Sequence, residues 1–201
     1  MSRVRADDYD DKKQLILKKA AALFATRGFG SATMIDVAKA CGASKSRIYH
    51  YFSSKEDVLF DIIIEHIKNL SDELSTISSR PIPAKERFAQ FVTAFIRCSA
   101  DSRNEHLVLV NDIKFLPEDK RKQVLKLETH LVSMLITLLQ EINPTLMTPV
   151  KVRTPYAMLL FGMVIWTFTW YEKNGAVSPE ELASRISHLF LAGFQDSTPP
   201  V

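Results

Sequence analysis

Apolar residues recur along most of the chain at intervals of three and four, the spacing that places side chains on one face of an α-helix. The first such stripe consists of Ile16, Ala20, Leu23 and Phe24. A denser stripe consists of Val58, Leu59, Ile62, Ile63, His66, Ile67 and Leu70. No segment has the pattern of a convincing strand, so the apolar positions predict an all-α protein.

Turn and capping residues divide this pattern into about nine helices. Gly28 and Gly42 suit helix ends, Thr33-x-x-Asp36 is a variant capping box, and Thr154-Pro155 and Ser178-Pro179 both suit helix starts. A Ser- and Pro-rich stretch, residues 75–83, is expected to separate the first four helices from the others. The helices are predicted over residues 11–27, 33–41, 44–51, 54–77, 84–100, 103–115, 117–142, 155–173 and 179–193.

Composition excludes several classes of protein. The 201 residues are 46% hydrophobic and 24% charged, as in ordinary globular domains. Two cysteines without a CxxC pair exclude a disulfide scaffold and a cysteine-based zinc site, and they favour a reducing compartment. The longest apolar run, residues 156–168, is shorter than the roughly 20 residues of a membrane span. Because the N-terminus also lacks an apolar signal peptide, we expect a cytoplasmic protein without membrane contact.

Charge is unevenly distributed along the chain. Residues 12–60 contain nine basic and three acidic residues, a net charge of +6, whereas residues 1–11 carry −2 and residues 61–201 carry −1. A compact basic module on a nearly neutral body is typical of nucleic-acid-binding proteins. A solvated surface with uneven charge explains the same numbers, so charge alone leaves both interpretations open.

The segment from Thr33 to Phe52 has the spacing of a helix-turn-helix, two short helices joined by a turn that contains Gly42. Ile48 and Phe52 are expected to anchor the second helix to the core. Its outer face then carries hydrogen-bond donors, two aromatic rings and two positive charges, a set that suits the phosphates and base edges of a major groove. This face consists of Ser44, Lys45, Ser46, Arg47, Tyr49 and His50.

Residues 13–60 resemble the DNA-binding module of the TetR family of bacterial transcriptional regulators. The resemblance is strongest where a YHYFSSKEDVL segment follows an IDVAKACGAS helix and turn, and it covers about a quarter of the chain. It implies a DNA-binding domain over residues 1–60 and a ligand-binding and dimerisation domain over residues 61–201. It also implies a cytoplasmic, homodimeric repressor that binds double-stranded operator DNA.

The same resemblance implies a role for each residue of the module. Thr33 and the amides at its helix start would bind a phosphate, as helix N-termini do, and Ser44, Tyr49 and Lys55 would also hold the DNA backbone. The residues that would face the bases are Lys45, Ser46, Arg47 and His50. Arg47 stands where many relatives have a small residue, so no operator sequence is carried over from them.

Residues 84–196 contain no catalytic constellation: no nucleophile elbow, no phosphate loop and no histidine pair at metal spacing. His66, His106, His130 and His188 are isolated along the chain, and such histidines usually lie at the surface or in a satisfied core. We therefore expect neither an enzyme nor a metal site, and no cofactor.

The last two predicted helices are strongly apolar. The helix near 155–173 is hydrophobic almost all round, which requires burial on more than one side. Two adjacent helices of this kind suit a dimer interface in which each chain contributes a helix pair, as happens in the resembled family, although packing within one chain would explain the same pattern. The candidate interface residues of the final helix are Leu182, Ile186, Leu189 and Phe190.

Aromatic and soft side chains at helical spacing are candidates for the lining of a ligand cavity, and ordinary core packing is the competing interpretation. The candidates are Phe88, Phe91, Phe95, Asn111, Met134, Phe161 and Trp166. The stretch 166–182 is similar to TetR-like regulators of fatty-acid, steroid and aromatic-acid breakdown, several of which sense acyl-CoA thioesters. The resemblance thus implies a small apolar or acyl-CoA effector rather than a bound cofactor.

Two other functional classes fit parts of the sequence. A helical small-molecule carrier would need the apolar body but no donor-rich face at residues 44–50. A helical adaptor would bind protein through the same module. Neither would show the steep dependence on salt that phosphate contacts give to DNA binding.

Overall fold

The computed structural model of the chain describes residues 2–172 and 174–195, with the side chains of residues 2–8, 99 and 195 excepted. Nine α-helices and no strand occur within these residues, which confirms the predicted all-α fold. The helices are α1 (Ser2–Arg27), α2 (Met34–Ala40), α3 (Lys45–Tyr51), α4 (Lys55–Ser78), α5 (Ala84–Asp101), α6 (Arg103–Asp112), α7 (Glu118–Ile142), α8 (Val150–Trp170) and α9 (Pro179–Gln195). One-turn 3₁₀ helices precede α2 (Phe29–Ser31) and follow α6 (Ile113–Phe115).

The helices form two compact units. Of the described residues, unit 1 contains 2–66 and 104–124, and unit 2 contains 67–103, 125–172 and 174–195. The chain passes from one unit to the other within α4, at the first residue of α6 and within α7. Helix α6 therefore belongs to the same unit as the short helices α2 and α3.

Unit 1 has a core built from the predicted apolar stripes. The inward-facing residues of α1, α2, α3 and α4 are almost fully buried, as is Phe52 directly after α3. This burial confirms the inward positions expected for Ile48 and Phe52. The buried residues are Ile16, Leu17, Ala20, Ala21, Phe24, Val37, Ala38, Ile48, Phe52, Val58, Leu59, Ile62 and Ile63. A salt bridge of 2.7 Å between Lys13 Nζ and Asp61 Oδ2 joins α1 to α4 beside this core.

Unit 2 has an aromatic core in which α5 packs against α8 and α9. Phe88 stacks on Phe190 with ring centroids 5.5 Å apart, and Phe190 stacks on Phe194 at 5.6 Å. On the other side, Phe95 meets Phe161 edge to face at 5.6 Å. These offset and edge-to-face arrangements are the ones that aromatic quadrupoles favour.

Side-chain hydrogen bonds reach backbone carbonyls near the ends of two helices in unit 2. The Arg103 guanidinium donates to the carbonyl oxygens of Phe168 (2.9 Å) and Thr169 (3.0 Å), which lie in the last turn of α8. The buried Asn143 side chain donates from Nδ2 to the Phe194 carbonyl of α9 at 2.9 Å. Each contact brings a side-chain donor to carbonyl oxygens near the C-terminal end of a helix.

Several predicted helix boundaries are wrong. Helix α8 begins at Val150 rather than at Pro155, which lies inside the helix. Proline there removes only the hydrogen bond to the carbonyl of Lys151, and both residues are exposed, so water can replace it. Arg153 fixes the earlier start, since its guanidinium donates to the carbonyls of Met147 and Thr148 in the preceding turn.

Two further boundaries differ from the prediction. Helix α1 extends to Ser2 instead of beginning near residue 11, and α8 ends at Trp170 rather than 173. Helix α4 ends at Ser78, close to the predicted end at residue 77, so the Ser-rich segment expected to separate the two halves is partly helical. Ile77 is buried and Leu74 is fully buried, so tertiary packing outweighs the local preference of serine for turns.

Candidate nucleic-acid interface

Helices α2 and α3 are joined by a turn whose geometry requires Gly42. The amide of Ala43 donates to the Ala38 carbonyl (2.9 Å) and the amide of Gly42 donates to the Lys39 carbonyl (3.1 Å), which together form a Schellman motif. Gly42 has φ of 60°, in the left-handed region that side chains with a Cβ avoid. The turn therefore fixes the direction in which α3 leaves α2.

The predicted capping box of α2 is present. The Asp36 amide donates to Thr33 Oγ1 (3.2 Å), and the Thr33 amide donates to Asp36 Oδ2 (3.0 Å). The Thr33 hydroxyl also donates to Asp36 Oδ2 at 2.6 Å, and these hydrogen bonds lower the pKa of Asp36. With its only proton engaged, the Thr33 hydroxyl could donate to a phosphate only by leaving Asp36, and its phosphate contact stays a prediction.

Helix α3 presents the predicted face to solvent. Ser44 caps the helix by accepting the Arg47 amide at 3.3 Å, and Ile48 and Phe52 turn inward. The side chains on the opposite side of the helix are exposed, which confirms the outward orientation deduced from helical spacing. These exposed residues are Ser44, Lys45, Ser46, Arg47, Tyr49 and His50.

Two aromatic contacts order parts of this face. The Lys45 ammonium lies 5.5 Å from the centre of the Tyr49 ring, within the range of a cation–π interaction. At the other end of α3, the Tyr9 ring from α1 stacks on Tyr51 at 4.6 Å and meets His50 edge to face at 6.1 Å. The extension of α1, which sequence analysis missed, thus supports the His50 end of the face.

Lys55 has partners within the protein. Its ammonium donates to the carbonyls of Phe29 (2.8 Å) and Ala32 (2.7 Å) and lies 4.1 Å from the centre of the Phe29 ring. An ammonium group has three donors, so one remains for a phosphate. The predicted phosphate contact of Lys55 stays a prediction, and the structure adds a role in holding the turn before α2.

The candidate ligand-binding residues fall into two groups. Phe88, Phe91, Phe95 and Phe161 are buried in the aromatic core of unit 2, and Met134 accepts a hydrogen bond at Sδ from the Ser75 hydroxyl at 3.3 Å. Trp166 and Asn111 are exposed, and Asn111 belongs to unit 1. Core packing accounts for the four phenylalanines as they stand, so a ligand cavity stays a prediction.

The candidate interface residues of α9 differ in their solvent exposure. Leu189 is exposed, Leu182 is half-buried, and Ile186 and Phe190 are buried within the chain. The interface residues predicted from the sequence lie on α9 alone, whereas α8, the other helix predicted at the interface, carries a larger exposed apolar face. Its exposed residues are Met158, Leu159, Gly162, Trp166 and Trp170.

The prediction that the histidines are isolated is wrong for two of them. His66 Nε2 of α4 and His106 Nδ1 of α6 are 3.2 Å apart, and both side chains are buried in unit 1. Burial lowers the pKa of His66 to about 4 and that of His106 to about 3, with the neighbouring His66 contributing to the latter. A separation of 40 residues in the sequence gave no signal of this pairing.

The described residues contain no group of three or more His, Cys, Asp or Glu side chains arranged to hold a metal ion. Nor does any described helix combine the length and apolar character needed to cross a membrane.

Two family models match the chain. The model described as bacterial regulatory proteins of the tetR family matches residues 16–62, and the model described as the tetracyclin repressor-like C-terminal domain matches residues 81–194. The first match includes α2 and α3, and the second includes α5, α8 and α9.

Individual proteins are similar over nearly their whole length. A TetR-family transcriptional regulator from Bordetella parapertussis is 36% identical, with a TM-score of 0.86 over 94% of this chain and 98% of that one. The transcriptional repressor KstR2 of Rhodococcus jostii is 24% identical over 94% of this chain and 95% of its own. AibR, solved with isovaleryl coenzyme A and operator DNA, is 23% identical, with a TM-score of 0.77 over 89% of this chain and 97% of its own.

Proposed function

The chain belongs to the TetR family of bacterial regulatory proteins, and on that premise we propose that it is a homodimeric repressor that binds operator DNA and is released by a small effector. Its relatives are transcriptional regulators and not enzymes. We assign DNA binding to residues 1–60 and effector binding with dimerisation to residues 61–201, and we place its action in the cytoplasm.

The exposed face of α3 is the observation that carries the proposal. Two buried anchors, Ile48 and Phe52, hold the helix, while donors and positive charges project from its other side. A single helix fits the width of a major groove, where Arg and Lys can reach guanine and phosphate oxygens. We assign base contacts to Lys45, Ser46, Arg47 and His50, and backbone contacts to Thr33, Ser44, Tyr49 and Lys55.

The proposals of repression and of a small effector are supported by similar proteins. KstR2 of Rhodococcus jostii is a repressor of nearly the same length, and AibR was solved with isovaleryl coenzyme A. The aromatic core between α5 and α8 could open to admit an acyl chain, and we propose an acyl-CoA thioester as the effector. Effector and operator would then weaken each other's binding reciprocally.

Dimerisation is proposed through α8 and α9. The exposed apolar residues of α8 recur at intervals of three and four, which places them in a stripe on one face of the helix, and Leu189 of α9 is exposed as well. Gly162 lies in the middle of the stripe with open space where a Cβ would be, which allows a second helix to approach closely. Stripes of this kind on a folded chain mark interaction surfaces.

The decisive experiment selects DNA from a pool of random duplexes with the purified wild-type chain and measures binding of the selected duplex against salt. We expect one enriched sequence with two half-sites, as dimeric helix-turn-helix proteins require, and a steep decrease of affinity with salt. A carrier or adaptor would enrich no sequence, and that result would refute the proposal.

Two variants separate the assigned roles on α3. Tyr49→Ala should weaken binding to every duplex by a similar factor, whereas Arg47→Ala should change which duplex binds best. The measurement is the affinity of each variant for the selected duplex and for its single-base variants. Lys68→Ala, which removes a charge from an exposed position of unit 2, is the control for Arg47→Ala. A uniform loss across all duplexes with Arg47→Ala would show that Arg47 does not read bases.

The effector is tested by thermal unfolding with isovaleryl-CoA, longer acyl-CoA thioesters, the corresponding free acids and coenzyme A alone. A ligand that binds only the folded chain raises the unfolding temperature. We expect stabilisation by one of the thioesters together with release of the selected duplex. Stabilisation by the free acids alone would exclude the thioester as the recognised group.

A further inference from the structure

Three aromatic rings meet where α1 passes the C-terminal end of α3. The Tyr9 ring of α1 stacks on the Tyr51 ring of α3, with centroids 4.6 Å apart and an angle of 29° between the planes. The His50 imidazole stands nearly perpendicular to both, at 81° and 6.1 Å from Tyr9 and at 83° and 5.4 Å from Tyr51. We call these residues the three-ring cluster, and all of them belong to unit 1.

The geometry of the cluster restricts the His50 ring. Offset stacking and edge-to-face contact are the arrangements that aromatic quadrupoles favour. The torsion that turns an imidazole is broad and roughly two-fold, so an exposed histidine without neighbours samples many ring orientations. Contact with two nearly parallel tyrosine rings limits this rotation. The imidazole is therefore oriented before any partner arrives, which reduces the entropic cost of a later contact.

Helix α1 is fixed close to the cluster. Lys13 lies one turn after Tyr9, and its ammonium is 2.7 Å from Asp61 Oδ2 of α4 and 5.8 Å from the centre of the Phe52 ring. In the turn after that, Ile16 is buried. The placement of Tyr9 beside α3 thus depends on the core of unit 1 and not only on the helix end.

The cluster connects α1 to the proposed base contacts. His50 is exposed and belongs to the residues to which we assign base contacts, whereas Tyr9, 39% exposed, precedes the helix-turn-helix and belongs to none of the assigned contacts. A neutral imidazole has one donor and one acceptor nitrogen, and each base pair presents its own donors and acceptors in the major groove. The orientation of the ring decides which of them it can meet.

We propose that Tyr9 is a positioning residue for base recognition. Its ring, together with that of Tyr51, sets the orientation of the His50 imidazole and so the base preference at the position that His50 reads. Tyr9 acts through His50 rather than by a DNA contact of its own. This inference rests on the proposed DNA binding and extends it to a residue of α1.

The test is a double-mutant cycle in the full chain, with Tyr9→Ala, His50→Ala and the double variant. Affinities are measured at one salt concentration for the duplex selected by the wild type, for its single-base variants and for a random duplex of the same length. His50→Ala identifies the base pair that His50 reads, because discrimination there is lost. Tyr9→Ala should reduce discrimination at that same base pair about three- to tenfold, the factor that one aromatic pair contributes.

Two results should distinguish a positioning role from general weakening. Discrimination at the other base pairs and affinity for the random duplex should change less than about twofold with Tyr9→Ala, since the latter depends on phosphates. In the background of His50→Ala, adding Tyr9→Ala should have no further effect on base preference. Equal losses for all duplexes, or the full effect of Tyr9→Ala in the absence of His50, would overturn the inference.

Three matched variants complete the design. Tyr9→Phe keeps the ring and removes the hydroxyl, so it should behave as the wild type; a loss equal to that of Tyr9→Ala would indicate a direct hydroxyl contact and overturn the inference. Tyr9→Leu keeps an apolar side chain without a ring, and it replaces Tyr9→Ala if that variant does not fold. Leu15→Ala changes another exposed apolar residue of α1 and should leave base preference unchanged.

Nuclear magnetic resonance of the free protein provides a readout that does not involve DNA. The two carbon-bound protons of the His50 imidazole are identified by their absence from the spectrum of His50→Ala. Their resonances should shift when Tyr9→Ala removes the ring current of the tyrosine, while those of His130, exposed on α7, should not. Unshifted His50 resonances would show that the two rings are not in contact in solution and would overturn the inference.

Failure of the inference is distinguishable from failure of the proposed function. If the wild type enriches an operator but His50→Ala changes no base preference, the role of Tyr9 is overturned and the proposed function stands. If the wild type shows no sequence preference at all, the proposed function is refuted, and the inference with it.

Discussion

At the scale of single residues, the buried pair His66 and His106 is the most unusual feature of unit 1. Two imidazoles share a hydrogen bond of 3.2 Å in a site almost without solvent. Burial disfavours the charged form of both rings, which explains the lowered pKa values. The pair joins α4 to α6 within unit 1, the unit that also contains α2 and α3.

The pair predicts that acid destabilises the fold. In the unfolded chain both histidines take up protons near pH 6.5, whereas in the folded chain they do so only near pH 4 and pH 3. Their contribution to stability is therefore complete above about pH 6.5 and is lost as pH falls towards those folded-state values. Between about pH 6.5 and 4, each histidine should reduce the free energy of unfolding by up to about 1.4 kcal/mol per pH unit.

Urea unfolding across this pH range measures the effect. The double variant His66→Gln/His106→Gln retains groups that can hydrogen-bond but cannot take up a proton in this range, so much of the slope should disappear. His130→Gln, at an exposed position of α7, is the control. A slope in the double variant equal to that of the wild type would show that other groups cause the acid sensitivity.

At the scale of helices, local signals predicted most of the DNA-binding module. The capping box at Thr33, the break at Gly42 and the apolar spacing around Ile48 are all contained within a few residues of sequence. Features that depend on contacts between distant segments of the chain were not predicted. Arg153 of α8 donates to a carbonyl of the preceding turn, and the histidine pair joins residues that lie 40 positions apart in the chain.

Arg103 provides a test of how helix ends are stabilised. Its guanidinium occupies two carbonyls in the last turn of α8, so Arg103→Leu should lower the free energy of unfolding by roughly 1 kcal/mol. Arg97→Leu is the matched control, because the Arg97–Glu180 ion pair is exposed on both sides and should contribute less than about 0.5 kcal/mol. Chemical unfolding of both variants measures the difference, and equal losses would contradict a capping role for Arg103.

At the scale of the whole molecule, the exposed apolar residues of α8 indicate a surface that another protein chain covers. Trp166 is 66% exposed and Leu189 is 67% exposed, values that a folded chain rarely shows for a whole stripe of large apolar side chains. A two-fold symmetric dimer would bury the same stripe on both chains. It would also supply the two half-site contacts that helix-turn-helix recognition needs.

Dimerisation predicts a measurable mass. Sedimentation should give about twice the 22.8 kDa of the single chain for the wild type. Trp166→Glu places a charge in the stripe and should yield the monomer at micromolar concentration, because a charge buried without a partner is strongly unfavourable. Leu15→Glu alters an exposed apolar residue of α1 and should leave the dimer intact. A dimer that tolerates Trp166→Glu would place the interface elsewhere.

The arrangement of α3 also bears on how such a regulator changes over evolution. Ile48 and Phe52 anchor the helix from one side, while Lys45, Ser46 and Arg47 project into solvent. Substitutions at exposed positions usually alter stability by less than about 0.5 kcal/mol. With the proposed base contacts on this face, single substitutions there are expected to change operator preference without loss of the fold, so a duplicated gene can acquire separate targets.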